Sequence, residues 1–177
     1  MKKLSMEELG RPTVEEFKSA EKSPIVIVLD NVRSLNNVGS AFRTSDAFAI
    51  EKLYLCGITG QPPHRDINKT ALGATESVVW AHVPETLPLV KQLQADGYTV
   101  LAVEQVDESI KLQNFEAEEG KKYALVYGNE VFGVDEEVVE AVDGVLEIPQ
   151  FGTKHSLNIS VSMGITIWDV FKKVMLK

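Results

Sequence analysis

The segment that decides the fold lies near the carboxyl terminus and reads GTKHSLNISVSMGITIWDVFKK, from Gly152 to Lys173. Its apolar residues alternate with small polar ones, which is the period of a β-strand. The same residues also form two helical stripes, which are Leu157, Val161, Ile165 and Trp168, and Ile159, Met163, Ile167 and Phe171. In the helical interpretation, Ser156 is the N-cap of a helix that begins near Leu157. The pattern alone leaves both interpretations open.

Length and composition are those of one globular domain. The chain has 177 residues, enough to bury a core without disulfides. No apolar run is long enough to span a membrane, and the amino terminus lacks the apolar stretch of a secretory signal. The single cysteine, Cys56, is expected to be a buried small side chain in a reducing compartment. The histidines and this cysteine have no metal-ligand spacing. We therefore expect a cytoplasmic protein without a membrane partner or a metal site.

The charge distribution is uneven along the chain. A formal net charge of −8 argues mildly against a nucleic-acid partner. Residues 1–80, however, hold ten Lys or Arg and ten Asp or Glu, whereas residues 81–177 hold eight and sixteen. An anionic partner would therefore bind the first half, in the part that carries Arg33, Arg43, Arg65 and Lys69.

Strand-like and helical segments alternate along the chain. The predicted strands are residues 24–30, 52–58, 78–83, 98–105, 122–128 and 145–149. The predicted helices are residues 13–20, 36–48, 88–97 and 134–143, and residues 59–77 are predicted to be a long polar connection. This alternation predicts an α/β fold, with a mostly parallel sheet and helices on both faces. Ligands bind such sheets at the carboxyl ends of strands, so the loops after Asp30, Tyr127 and Pro149 form the candidate site.

Each of these three loops has a functional and a purely structural interpretation. A guanidinium at Arg43, on a helix of small and apolar residues, requires an anion, and an ion pair with Asp46 one turn on would supply one. Gly128 and Gly133 permit positive φ and close approach to a ligand, or make an ordinary strand-to-helix turn. The serines after Gly152 line a site, or are buried and bond back to their own helical turn. Phosphate-binding and nucleophile-elbow motifs are absent.

In this order, the three loops resemble the three signature motifs of the SpoU/TrmH branch of the SPOUT RNA methyltransferases. The first resembles N-x-G-x-x-x-R-T at Asn37, Gly39, Arg43 and Thr44. The second resembles G-N-E-x-x-G at Gly128, Asn129, Glu130 and Gly133. The third resembles I-P-x-x-G followed by S-L-N-[VI]-S-V at Ile148, Pro149, Gly152 and residues 156–161. The resemblance covers roughly residues 25–175, and on it the chain is identified as a member of this family.

The resemblance implies a SPOUT methyltransferase domain over residues 25–177, after a short lead-in over residues 1–24. It implies that the sheet is followed by a C-terminal deep trefoil knot, with the polar cluster in the loop and first helical turn that line the cofactor pocket. The terminal segment is then a helix, with one apolar stripe on its own sheet and the other on a second subunit of a homodimer. Because only the lead-in precedes the first strand, we expect substrate choice to depend on the core and its loops.

The implied reaction moves a methyl group from S-adenosyl-L-methionine to a ribose 2′-hydroxyl of RNA, with tRNA favoured over rRNA, and leaves S-adenosyl-L-homocysteine. By resemblance, Arg43 acts beside the cofactor of the partner subunit, either as a base or, as we prefer, by orienting the nucleotide and stabilising charge on the 2′ oxygen. The implied catalytic residues are Arg43, Asn37, Glu130, Ser156 and Asn158. The implied cofactor-binding residues are Tyr127, Gly128, Asn129, Gly133, Ile148, Gln150, Gly152, Ser156, Leu157 and Asn158. The RNA-binding candidates are Arg33, Arg43, Arg65 and Lys69.

Three positions depart from the family pattern without removing an implied catalytic group. Gln150 stands where many members carry methionine, Val134 replaces leucine, and Ser162 replaces alanine. Two rival functions stay open, a non-enzymatic RNA-binding module on the same fold and a small-molecule nucleotide enzyme on a flavodoxin-like sheet.

Overall fold

A computed structural model describes residues 1–5 and 7–176 of the chain, so Met6 of the predicted lead-in and Lys177 of the predicted domain lie outside the described residues. The strands are β1 Ser23–Asp30, β2 Ile50–Cys56, β3 Trp80–Val83, β4 Tyr98–Val103, β5 Ile110–Lys111, β6 Lys122–Tyr127 and β7 Gly144–Glu147. The helices are α1 Val14–Ser19, α2 Leu35–Ala47, α3 Arg65–Ala71, α4 Ala74–Ser77, α5 Thr86–Ala95, α6 Glu136–Ala141 and α7 Ile159–Met175.

The strands form one seven-stranded sheet in the order β3-β2-β1-β6-β4-β7-β5, and every pairing in it is parallel. The predicted parallel α/β sheet is thus confirmed. In the register, Leu29 lies beside Tyr127 at the end of the central β1–β6 pair. Because parallel strands end at the same edge, the loops after β1, β4, β6 and β7 emerge together.

Two helical layers cover the sheet. On one face, Phe42 of α2 and Met163 and Ile167 of α7 form one buried cluster with the alternating β1 residues Ile25 and Ile27. On the other face, residues of α5 and α6 pack on Val26, Val28 and their neighbours. A strand that is buried on both faces needs a continuous apolar run, and the segment Pro24–Leu29 supplies it. Cys56 is buried in the second layer, as predicted, and burial raises the pKa of its thiol to about 12.

The terminal segment is a helix, so the strand interpretation is wrong. The predicted cap is also wrong, because the N-cap of α7 is Asn158, whose side chain accepts the Ser160 N–H at 2.8 Å. Ser156 lies two residues earlier, in an exposed loop. Met163 and Ile167 of one apolar stripe are fully buried on the sheet. The other stripe is between 38% and 49% exposed and consists of Leu157, Val161, Ile165 and Trp168.

Two further predictions need correction. The polar connection over residues 59–77 contains α3 and α4. His64 caps α3 by accepting the Asp66 N–H, and Ile67 is buried on its inner face. Helix α5 begins at Thr86, so Pro88 lies within its first turn, where the missing N–H leaves no helical bond unmade. The capping box of α1 at Thr13 and Glu16 is confirmed.

The described residues also include β5, a two-residue edge strand that was not predicted. None of the helices in this part of the chain combines the length and apolar character needed to cross a bilayer.

Candidate active site

A cleft of about 1300 Å³ opens at the carboxyl ends of β4, β6 and β7. Nine of the ten predicted cofactor-binding residues line it, and they are Tyr127, Gly128, Asn129, Gly133, Ile148, Gln150, Ser156, Leu157 and Asn158. Gly152 does not line the cleft and is exposed at the tip of the loop after β7. The second and third predicted loops therefore form two walls of one cavity.

The loop after β6 is a tight turn stabilised by its own backbone. Asn129 and Gly133 exchange both backbone hydrogen bonds, at 2.8 and 2.9 Å. The Asn129 side-chain oxygen also accepts the N–H groups of Val131 and Phe132. Gly133 has a φ of +73°, and a Cβ on Gly128 would overlap the backbone of Gly133 and Val134. Both glycines are thus required by the fold of the turn, which presents backbone groups to the cleft.

Glu130 joins this turn to the loop after β1. Its carboxylate accepts the backbone N–H groups of Arg33 and Ser34 and the side-chain N–H of Asn37, each at 2.9 Å. Burial by itself raises the pKa of Glu130, but the N–H donors outweigh burial, so the pKa lies below its ordinary value. The side-chain N–H of Asn129 also donates a hydrogen bond to the carbonyl of Asn31, at 2.8 Å. The first and second motifs are therefore one hydrogen-bonded unit.

Arg43 lies outside the cleft of its own chain. Asn37 is 7% exposed and sits in the first turn of α2, whereas Arg43 is exposed further along the same helix. The alternative ion pair with Asp46 is not formed, and Asp46 accepts the Ser77 hydroxyl at 2.5 Å. Among the described residues, no carboxylate lies within salt-bridge distance of Arg43. Its guanidinium is free to meet an external anion.

Asn158 connects the third loop to its helix. Its side-chain oxygen accepts both the N–H and the hydroxyl of Ser160, while Ser162 bonds back to its carbonyl. Ser156 and Leu157 precede the helix and face the cleft. Ser160 and Ser162 are only half-buried, so the predicted buried serines are not found. The predicted bond back to the helical turn is present, from the Ser162 hydroxyl to the Asn158 carbonyl.

Sequence reasoning missed three residues at the ends of β1 and β4. Asp30 is fully buried and accepts the Thr86 hydroxyl at 2.5 Å and the Asp135 N–H at 3.0 Å. Burial raises the pKa of Asp30. Glu104 and Gln105 follow β4 and contact the second and third loops, respectively. No motif contains Glu104 or Gln105. The only sequence feature that could have identified these residues was their position at the ends of predicted strands.

The predicted RNA-binding residues are exposed but scattered. Arg33 lies in the loop after β1, and Arg65 and Lys69 lie on α3, not in a loop. None of them lines the cleft. Helix α3 packs against α2, and its role in RNA binding stays a prediction.

The cleft is acidic. Within the described part of the chain, its lining has no lysine or arginine, and it has seven carboxylates, which are Glu104, Asp107, Glu108, Glu130, Glu136, Glu140 and Asp143. Such a lining favours a cationic ligand and disfavours a phosphate. Across residues 1–5 and 7–176, no three His, Cys, Asp or Glu side chains are grouped so that they could hold a metal ion.

A parallel sheet with a cleft at its carboxyl edge defines an α/β protein that binds a small ligand among its strand-end loops. The model of the SpoU rRNA Methylase family matches residues 24–168, and the chain belongs to that family. The resemblance drawn from the three motifs is thereby confirmed.

Similar proteins agree with this assignment. The tRNA (guanosine(18)-2'-O)-methyltransferase of Thermus thermophilus is 27% identical over 162 residues, which cover 92% of this chain and 81% of that protein. The crystal structure of the A. aeolicus TrmH/SpoU tRNA modifying enzyme has a TM-score of 0.80 at 26% identity, covering 90% and 80% of the two chains. An AdoMet-bound rRNA methyltransferase from Sinorhizobium meliloti shares the fold, with a TM-score of 0.80 at 24% identity over 88% of this chain and 58% of that one.

Proposed function

We propose that the protein transfers a methyl group from S-adenosyl-L-methionine to a ribose 2′-hydroxyl of RNA. The observation that carries the proposal is that two of the three family motifs meet in one cleft, and that Glu130 joins the remaining one to it. The non-enzymatic and small-molecule alternatives have no observation of their own in their favour.

The chemistry of the cleft suits the cofactor. Backbone groups of Gly128 and Gly133 suit an adenine or a carboxylate, because neither residue has a side chain to cover them. The cofactor carries a sulfonium and an ammonium, and the acidic lining complements both. We propose that the nine lining residues of the second and third motifs hold it, with Gly152 shaping the loop from outside. When bound, the cofactor would supply an electrophilic methyl group for transfer to the ribose 2′ oxygen.

Arg43 is proposed to orient the nucleotide and to stabilise negative charge on the 2′ oxygen. An arginine does not serve readily as a base, since its pKa exceeds ~12. Glu130 and Asn37 hold the loop that leads into α2 and so set the position of Arg43. Ser156 and Asn158 would then position the ribose against the cofactor, because both face the cleft.

A homodimer is proposed to bring Arg43 to the cleft. In a single chain Arg43 lies outside it. The exposed α7 stripe with Val161 and Trp168 is an apolar surface adjoining Leu157 of the cleft lining. A second copy of this chain would bury that stripe and bring its own Arg43 beside the cofactor. Sedimentation showing a fully active monomer would refute this arrangement.

We also propose that the carboxyl-terminal segment forms the deep trefoil knot. β7 lies beyond β4 in the sheet, yet α7 packs on β1 and α2. The chain must therefore return past the carboxyl ends of β4 and β6, where the loop over residues 128–135 lies. An experimental structure in which the segment passes outside that loop would contradict the knot.

For the substrate, we propose tRNA, supported by the substrate in the name of the Thermus thermophilus relative. Arg33, Arg65 and Lys69 of both subunits would contact phosphates, and binding should weaken steeply with salt. We further propose a cytoplasmic location and a domain boundary near residue 24. Transfer of labelled methyl groups into tRNA but not rRNA, followed by mapping of the modified ribose, tests the choice of substrate.

Mixing two inactive variants tests the proposed site most sharply. Arg43→Ala and Asn158→Ala each remove one half of a site composed across two subunits. If the two proteins are mixed and allowed to exchange subunits, half of the dimers are hybrids, and each hybrid has one intact site. About a quarter of wild-type activity should return. If both halves belonged to the same chain, mixing would restore nothing.

A further inference from the structure

The loop after β7 is held to the rest of the protein by very little. Residues 151–156 are all exposed, although Ser156 and His155 line the cleft. Within the described chain, a single hydrogen bond joins residues 150–156 to a distant segment. It runs from the side-chain amide of Gln105 to the carbonyl of His155, at 2.7 Å. The loop after β7, which forms one wall of the cleft, is thus held in place, among the described residues, by the side chain of Gln105 alone.

Glu104, which precedes Gln105, holds the opposite wall of the cleft, the turn after β6. One Glu104 oxygen accepts the N–H of Val134 at 3.2 Å, and the other accepts the N–H of Gln105 at 2.8 Å. A Cβ on Gly133 would overlap the Glu104 carboxylate, so the turn fits closely against this side chain. The two residues that follow β4 therefore contact both loops that form the cleft, and they lie outside the three family motifs.

We infer that Glu104 and Gln105 are positioning residues for the cofactor cleft, and that Gln105 latches the loop over residues 150–156 across it. The inference rests on the proposed function for the identity of the ligand but not for the latch itself. With the latch made, Gln150, Ser156 and Leu157 are held at the cleft. With it broken, that wall is free to move away, and a bound ligand leaves faster.

Gln105→Glu is the sharpest variant, because it keeps the shape of the side chain and replaces the N–H donor with an acceptor that repels a carbonyl. Gln105→Ala removes the side chain altogether. The matched control is Gln113→Glu, since Gln113 is exposed, does not line the cleft and makes no side-chain hydrogen bond among the described residues. It introduces the same charge without touching the latch.

The first measurement needs no cofactor. Trypsin cleaves after Lys154, which lies within the loop and is exposed. Cleavage requires the loop to open, so the release of the fragment that begins at His155, followed by mass spectrometry, reports the latch. We expect cleavage about three- to tenfold faster in both Gln105 variants than in wild type and in Gln113→Glu, which is the effect of one hydrogen bond.

The second measurement is calorimetric titration with S-adenosyl-L-homocysteine. We expect a Kd about three- to tenfold higher in both Gln105 variants, at a Tm within about 4 °C of wild type, with kcat at saturating cofactor near the wild-type value. Equal cleavage rates in the Gln105 variants and wild type would overturn the latch, and so would an equal Kd or an equal effect of Gln113→Glu. Failure of the wild-type protein to bind the titrant would instead overturn the proposed cofactor, while the proteolysis result would still decide the latch.

Discussion

Replacing Glu130 with glutamine tests whether the second motif holds the first in place. The wild-type carboxylate accepts three N–H groups, two on one oxygen and one on the other. Glutamine has the same shape but offers only one acceptor oxygen. Its amide nitrogen has to face either the N–H of Arg33, or those of Ser34 and Asn37, and it cannot accept from any of them. At least one hydrogen bond is therefore lost, and those that remain go to a neutral group.

The size of the effect follows from those bonds. A hydrogen bond to a charged group contributes about 1.5–3 kcal/mol, and a neutral one about 0.5–1.5 kcal/mol. Glu130 is exposed, so water replaces part of what is lost. We expect the free energy of unfolding to fall by about 1–2 kcal/mol. Since the freed segment leads to Arg43, methyl transfer should fall about 10- to 100-fold, because small displacements of positioning groups have effects of that order.

The pH dependence has a definite sign. Partial burial of the carboxyl raises the pKa of Glu130, but the bonds from Arg33, Asn37 and Ser34 lower it more, to below its ordinary value of 4.5. A group whose pKa is lowered by folding contributes stability above its unfolded pKa and loses that contribution as the pH falls through its folded pKa. The stability difference between wild type and Glu130→Gln should thus be constant above pH 4.5 and diminish below it.

Urea unfolding across this range, combined with methyl-transfer kinetics near neutral pH, measures both effects. Glu136→Gln is the control, because Glu136 is also an exposed carboxylate of the cleft but makes no side-chain hydrogen bond among the described residues. Its unfolding free energy should stay within about 0.5 kcal/mol of wild type. Wild-type stability and turnover in Glu130→Gln, or an equal loss in Glu136→Gln, would refute the reasoning.

Three further changes test other parts of the site. Gly128→Ala should destabilise the protein by about 1–3 kcal/mol, because the new methyl group overlaps backbone, whereas Gly152→Ala, with open space around it, should be neutral in the same urea titration. Equal effects would contradict the packing of the turn. Arg43→Ala should abolish methyl transfer and leave the Kd for S-adenosyl-L-homocysteine unchanged by calorimetry. A loss of cofactor affinity as large as the loss of activity would show that the proposed role of Arg43 is wrong. Trp168→Glu should produce an inactive monomer by sedimentation, and a stable active dimer would show that this stripe is not the interface.

The sheet and the position of the site could be predicted because both follow from local patterns. Short apolar runs separated by helical segments specify buried parallel strands, and parallel order places their loops at one edge. The spacing of apolar residues could not assign the terminal segment to a strand or a helix, since its residues fit both equally. Its burial decides the matter, because Met163 and Ile167 pack on the sheet while Val161 and Trp168 do not.

The errors arise where tertiary contacts override local signals. Helix α3 is seven residues long and polar, and it packs closely against Gly39, where a Cβ would overlap Thr70 and the carbonyl of Ile67. No pattern in the sequence around residue 65 predicts the contact with Gly39. Ser156 and Asn158 are both good caps, and the choice between them depends on where the loop leaves the cleft. The roles of Glu104 and Gln105 likewise exist only once two distant loops fold over the end of β4.

Each motif, taken alone, allowed a plain structural interpretation, and the structure indicates that this interpretation and the functional one are compatible. The bonds of Glu130 are structural, yet what they hold is the segment that starts the helix of Arg43. The turn that contains Glu130 also forms a wall of the cleft. The first two motifs therefore form one hydrogen-bonded unit, in which Arg43 lies outside the cleft. Under the proposed function, this arrangement supports the proposal that the guanidinium at each site comes from a second copy of the chain.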